Sequence, residues 1–175
     1  MEIRQPAAFL DQMIRQTRAH HVQLSSMADM KANMMLTVAA LLIPLSIRFL
    51  DDPRLQPAAL TMIGFCILTV LLSAYAAMPK VLGKKSPGKT IDPEDPSFNL
   101  LFFGSFIKMD YDNYEHAMEK VMNDHGEVYE KQIKEIYLMG QYLAREKYRF
   151  VRLAYISFIT GMVISSALYV ARSLL

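Results

Sequence analysis

Between Ala32 and Leu50 the chain reads ANMMLTVAALLIPLSIRFL, with only Asn33, Thr37 and Ser46 as polar breaks before Arg48. About 19 helical residues, each rising about 1.5 Å, are long enough to cross the hydrocarbon core of a bilayer. A helix packed in a water-soluble core keeps a polar stripe, and this run shows none beyond Asn33. The run is therefore a membrane span. Everything around it must be either another span or polar material at a membrane surface.

Two further runs meet the same test. Ala58–Met78 carries no charge and lies between Pro57 and Pro79, which suit a helix start and stop. The polar turn Asp51-Asp52-Pro53-Arg54 is short enough to make the first two spans an antiparallel hairpin. Leu153–Val170 is apolar throughout and bracketed by Arg152 and Arg172, giving a third span. Residues are 53% hydrophobic yet 21% charged, so the two kinds are segregated along the chain. An apolar run that starts only after about 30 polar and amphipathic residues is late for a cleaved signal peptide, so the first span is expected to stay as an anchor.

Before the first span, Pro6 to Met30 reads as an amphipathic helix with Phe9, Met13, Val22 and Met27 on one broad face and Arg15, Arg18 and His20 elsewhere. It is expected to run straight into the span, where Pro44 should introduce a kink. After the second span, Lys84, Lys85, Pro87, Gly88, Lys89, Pro93 and Pro96 form a basic, Pro-rich linker. Phe98–Gly104 is too short to cross a membrane and suggests a buried or surface-lying segment. A capping box of Asp112 with Glu115 predicts a short helix over roughly 113–124, stopped at Gly126. From Glu127 to Leu175 there is no proline, and the stretch reads as one long helix. Val128, Ile133, Ile136, Tyr137, Gly140, Leu143 and Ala144 share one side of it, opposite Glu130, Lys134 and Glu135. The two long helices are expected to pack together beneath the bilayer.

The fold class that results is an all-α membrane protein with three transmembrane helices and cytosolic helical extensions of the first and third. Its parts are an amphipathic helix over 1–31 and a hairpin over 32–79 with spans near 32–50 and 58–78. A linker and helical region follows over 80–149, then the third span with a short tail over 150–175. Arg15, Arg18, Lys31, Lys80, Lys84, Lys85, Lys89, Arg145, Lys147, Arg149 and Arg152 fall on one side, against Arg48, Arg54 and Arg172 on the other. The positive-inside rule places the first set, with the N-terminus and the 80–149 region, in the cytoplasm.

No arrangement of residues suggests catalysis, and no cofactor is implied. Cys66 is the single cysteine, so an intrachain disulfide is ruled out. His20, His21, His116 and His125 lack metal-ligand spacing, and Asp110, Asp112 and Asn113 lack the glycine and distal glutamate of a calcium loop. A net charge of +2 gives no reason to expect direct nucleic-acid binding. Two charged features stand out. Asp29 and Lys31 sit at the mouth of the first span, and Arg145-Glu146-Lys147-Tyr148-Arg149 precedes the third. Positive-inside charge with a tyrosine belt accounts for the second feature. The sharper alternative is a phosphate and base site, since cations neutralise a phosphate and an aromatic face stacks a base. On that reading Asp29, Lys31, Arg145, Lys147, Tyr148 and Arg149 are the candidate ligand residues.

Ala28-Asp29-Met30-Lys31-Ala32 entering a span, then Asn99-Leu100-Leu101-Phe102-Phe103-Gly104, Ile133-Lys134-Glu135-Ile136-Tyr137-Leu138-Met139-Gly140 and Lys147-Tyr148-Arg149-Phe150-Val151-Arg152-Leu153-Ala154-Tyr155 resemble, in that order, the bacterial Pycsar transmembrane effectors. The resemblance covers about Met27 to Ala167. It implies an antiphage role: a partner cyclase makes a cyclic pyrimidine nucleotide, cUMP or cCMP, and the membrane effector responds, assembles as a homo-oligomer among the lipids, and impairs the inner membrane in abortive infection. It carries no ligand residues onto this chain. A different class of function, a non-gated membrane anchor recruiting a partner through 113–143, predicts neither toxicity nor small-molecule binding.

Overall fold

The computed structural model describes residues 8–79, 98–107 and 109–174, and among these every regular element is a helix. The order is α1 (Ala8–Ile47), α2 (Gln56–Ala77), α3 (Phe103–Phe106), α4 (Tyr111–Met122), α5 (His125–Tyr142), a π-helical turn (Leu143–Tyr148) and α6 (Arg149–Ser173). Pro6 and the basic linker, with Lys80, Lys84, Lys85 and Lys89, lie outside the described residues. The helix continues past Pro44 to Ile47. Pro57 falls in the first turn of α2, where its missing N–H costs nothing. Between α1 and α2 the Asp52 carboxylate accepts from the Arg54 N–H at 2.8 Å, and its carbonyl accepts from Gln56 N–H at 2.8 Å, closing the turn.

The chain divides into two units. One comprises 23–78 and 142–175, the other 1–22 and 79–141. The first holds the three apolar segments long enough to cross a membrane. In it α6 runs antiparallel to α2: Ser165 donates to the Ala58 carbonyl at 2.8 Å, and Ser157 donates to the Phe65 carbonyl at 3.3 Å. Gly161 lies between those two serines, where a Cβ would run into the side chain of Phe65. Ala28 and Ala32 of α1 close the end of the bundle against Ala76 and Val151, with Tyr75 and Phe150 ring-to-ring at 4.3 Å alongside. Small and hydroxyl residues (Thr69, Ser73, Ser157, Ala154) fill the interior, while Leu41, Leu45, Leu60, Leu71, Ile159 and Val163 point outward. That inside-out distribution suits a bundle solvated by lipid: close backbone approach holds the helices together, and large apolar side chains face the hydrocarbon.

The second unit is built on the first turns of α1, α3, α4 and α5. Three expectations change here. Helix α4 starts at Tyr111, two residues before the expected start, and ends at Met122; its N-cap Asp110 makes no side-chain cap bond. The chain turns at Asn123 and Asp124, whose carboxylate accepts from Gly126 N–H at 2.7 Å, so Gly126 lies inside α5 rather than stopping α4. The packed faces of both long helices also differ from the apolar stripes. Phe9 (71% exposed), Met13 and Val22 face outward on α1, as do Ile133 and Tyr137 (63%) on α5, whereas Ile14, Tyr129 and Glu135 are buried. Polar partners on the facing helix account for this, because ion pairs and a hydroxyl–carboxylate bond stabilise polar groups that simple amphipathicity would place in water. In the same unit Asn99 turns back to accept from Leu101 N–H at 3.0 Å, burying Leu100 and Gly104 beneath it.

Candidate functional site

Within the polar unit a cleft of about 620 Å³ opens between α1 and α5. One wall is Ala8, Asp11, Ile14, Arg15 and Arg18, spaced three or four apart on α1; the other includes His125, Tyr129, Gln132 and Glu135, with the same spacing on α5. Two polar contacts hold the walls together. The Tyr129 hydroxyl donates to the Asp11 carboxylate at 2.7 Å, and Arg18 reaches Glu135 at 3.1 Å. Glu135 has a side chain only 10% exposed, so burial pushes its carboxyl above the ordinary carboxylate range, with the Arg18 guanidinium opposing. The Tyr129 phenol is held above its ordinary value, first by its bond to Asp11. Arg15 has no carboxylate partner among the described residues.

The residues expected to bind a ligand lie in the apolar unit and do not all come together. Lys147 is buried in the π-helical turn, with its Nζ 2.7 Å from both carboxylate oxygens of Asp29 and 2.9 Å from Ser25 Oγ. The Tyr148 hydroxyl donates to the Leu24 carbonyl at 3.1 Å. Lys31, Arg145 and Arg149 stay exposed. The structure thus turns Asp29 and Lys147 into a bidentate ion pair across the bundle and leaves three cations outside it. A π-helical turn widens the backbone by one residue per turn, and such insertions concentrate at functional positions. No group of three or more metal-ligating side chains is present among the described residues.

The model of the Pycsar effector protein domain matches residues 12–172. The chain belongs to this family. The match takes in both units, all three apolar segments and, of the cleft, everything from Ile14 onward. Pycsar effectors of this kind act in antiphage defence, and with three helices able to cross a bilayer the chain is a membrane member of that group. No curated protein and no solved structure matches it.

Sequence reasoning missed the cleft. Arg15 and Arg18 read as the solvated back of an amphipathic helix, and Glu135 as the outer face of α5. The signal that was available is the shared i, i+3/i+4 spacing of charges on both helices, which carries meaning only once the two are known to face each other.

Proposed function

We propose that this chain is a gated membrane effector of the bacterial inner membrane, with the N-terminus and the 80–149 region in the cytoplasm, that responds to a cyclic mononucleotide from a partner cyclase. The observation that carries the reading is that the helices walling the charged cleft are those that supply spans: α1 is unbroken from Ala8 to Ile47, and α5 continues through the π-helical turn into α6. A ligand that prefers one arrangement of the α1–α5 walls biases the segments in the bilayer by its difference in affinity between the two arrangements. Three spans are too few to line a wide pore, so oligomerisation precedes damage. The outward apolar residues of the polar unit (Phe9, Met13, Tyr111, Met122, Ile133, Tyr137) supply a surface for it. Lys31, Arg145 and Arg149, exposed beside the bundle end, suit anionic lipid headgroups.

The test is made in growing bacteria. With the effector expressed, a pyrimidine nucleotide cyclase induced in the same cells should collapse the membrane potential and arrest growth within one division. A catalytically dead cyclase should do neither. Loss of potential that is indifferent to the cyclase refutes gating, and an intact potential under both refutes the effector role.

A further inference from the structure

We propose that two copies of this chain pair through the lipid-facing side of α1, with Asn33 of each copy bonded to Asn33 of the other. The pair extends the oligomerisation argued above into the bilayer, yet it requires only that α1 crosses a membrane. Its basis is a stripe on the helix. Ser26, Asn33 and Ala40 recur at intervals of seven, as do Met30, Thr37 and Pro44, and all six are exposed. A repeat of 3.5 residues keeps one side of a helix along a parallel neighbour as the two wind around each other. Buried Ala28, Ala32 and Ala39 lie on nearly the opposite side of α1, so the stripe is free of the bundle. Asn33 and Thr37 are smaller than the methionines beside them, and an open groove of about 660 Å³ runs along this side.

The chemistry selects a second copy. Among the described residues the Asn33 side-chain amide has no hydrogen-bond partner; the Thr37 hydroxyl reaches only the Asn33 backbone carbonyl, at 2.9 Å. Ala32, next to it, packs against Ala76 in the last turn of α2, which places Asn33 at the edge of the hydrocarbon. Deeper on the same stripe, Pro44 has no N–H, so the Ala40 carbonyl loses its helical donor. Polar groups that face lipid are costly, and an amide in a span is best satisfied by a polar group on a neighbouring helix. Copies inserted the same way hold Asn33 at the same depth. An amide both donates and accepts, so two identical side chains satisfy each other across a two-fold axis. No formal charge on the stripe opposes the approach. Asp29, at the mouth of the groove, is neutralised by Lys147, whose Nζ lies 2.7 Å from both carboxylate oxygens. The small side chain of Ala40 lets the backbones come close, with Cα–H groups meeting the freed carbonyl.

Single-cysteine variants in a Cys66→Ala background are oxidised in membranes from cells without a cyclase. Ala40→Cys should form a disulfide-linked dimer, whereas Val38→Cys, exposed but off the stripe, should not. Equal crosslinking of the two, or an Ala40→Cys adduct other than twice the 20.0 kDa of the chain, overturns the pair. Energy transfer between labelled copies in liposomes of graded protein-to-lipid ratio then gives the dimerisation constant. Asn33→Val should weaken it roughly 3- to 30-fold, and Asn33→Gln should restore most of it. A constant unchanged by Asn33→Val, or energy transfer no greater than chance proximity gives, overturns the proposal. Membrane potential is read in the same strains with the cyclase induced. Collapse without a pair overturns the pair and leaves the effector reading standing; a pair without collapse supports the pair and refutes that reading.

Discussion

Asp29 and Lys147 form one ion pair, but their replacement should cost different amounts. The Lys147 side chain is 10% exposed and the Asp29 side chain 38%. In Asp29→Asn, a buried ammonium keeps only Ser25 and an amide oxygen as partners, and an uncompensated buried charge costs about 3–5 kcal/mol. We expect about 3 kcal/mol, the low end, because Ser25 lies 2.9 Å away. In Lys147→Met the stem volume is kept and the orphaned carboxylate can turn to water. The loss then lies near surface-pair values, about 1 kcal/mol. The double variant should lose about 1–2 kcal/mol rather than the sum, a coupling of roughly 2 kcal/mol. Thermal unfolding in detergent micelles, followed by circular dichroism, reads these as Tm shifts of about 6–12 °C and 2–4 °C for the single variants. Equal shifts, a larger shift for Lys147→Met, or additivity in the double variant would refute the account of this pair.

Gly161→Leu should cost about 2 kcal/mol or more by forcing α6 off Phe65, whereas Gly64→Leu, with no neighbour within 4 Å, should be near neutral; thermal unfolding compares them. Burial raises the Glu135 carboxyl above its ordinary value in the fold, against the pull of Arg18. The stability it contributes is therefore complete below about pH 4.5, the ordinary carboxyl value, and is lost as pH rises through the higher folded value. Glu135→Gln should remove that slope, read as the difference between wild-type and variant Tm from pH 4 to 8; parallel curves would contradict it. A Glu130→Cys reporter in a Cys66→Ala background should react with an impermeant maleimide only after the cells are permeabilised. Labelling of intact cells would place the polar unit outside.

The spans were legible because lipid imposes a one-dimensional rule: length and apolarity suffice, and Ala58–Met78 between two prolines lies within two residues of α2 as found. The polar unit was harder to read. The stripe Phe9, Met13, Val22 looked like a packing face and lies outward, because Tyr129–Asp11 and Arg18–Glu135 decide which sides of α1 and α5 meet. Those partners lie more than 100 residues apart, where no local periodicity reports on pairing. Of the candidate ligand residues, charge and position picked out both members of the Asp29–Lys147 pair. They could not show that the two charges, 118 residues apart, would bind each other. The π-helical turn at Leu143–Tyr148 has no proline or glycine to announce it, and Gly126 resembled a stop because the Asp124 turn that precedes it mimics one.

On the function proposed above, a cyclic nucleotide meeting the polar unit makes the bilayer leak. The direct measurement is release of an entrapped fluorophore from liposomes carrying the purified protein, on addition of cUMP or cCMP to the face bearing that unit. Release that requires one of these nucleotides and rises steeply with protein density is the expected result. Release without nucleotide, or none with either, would contradict it.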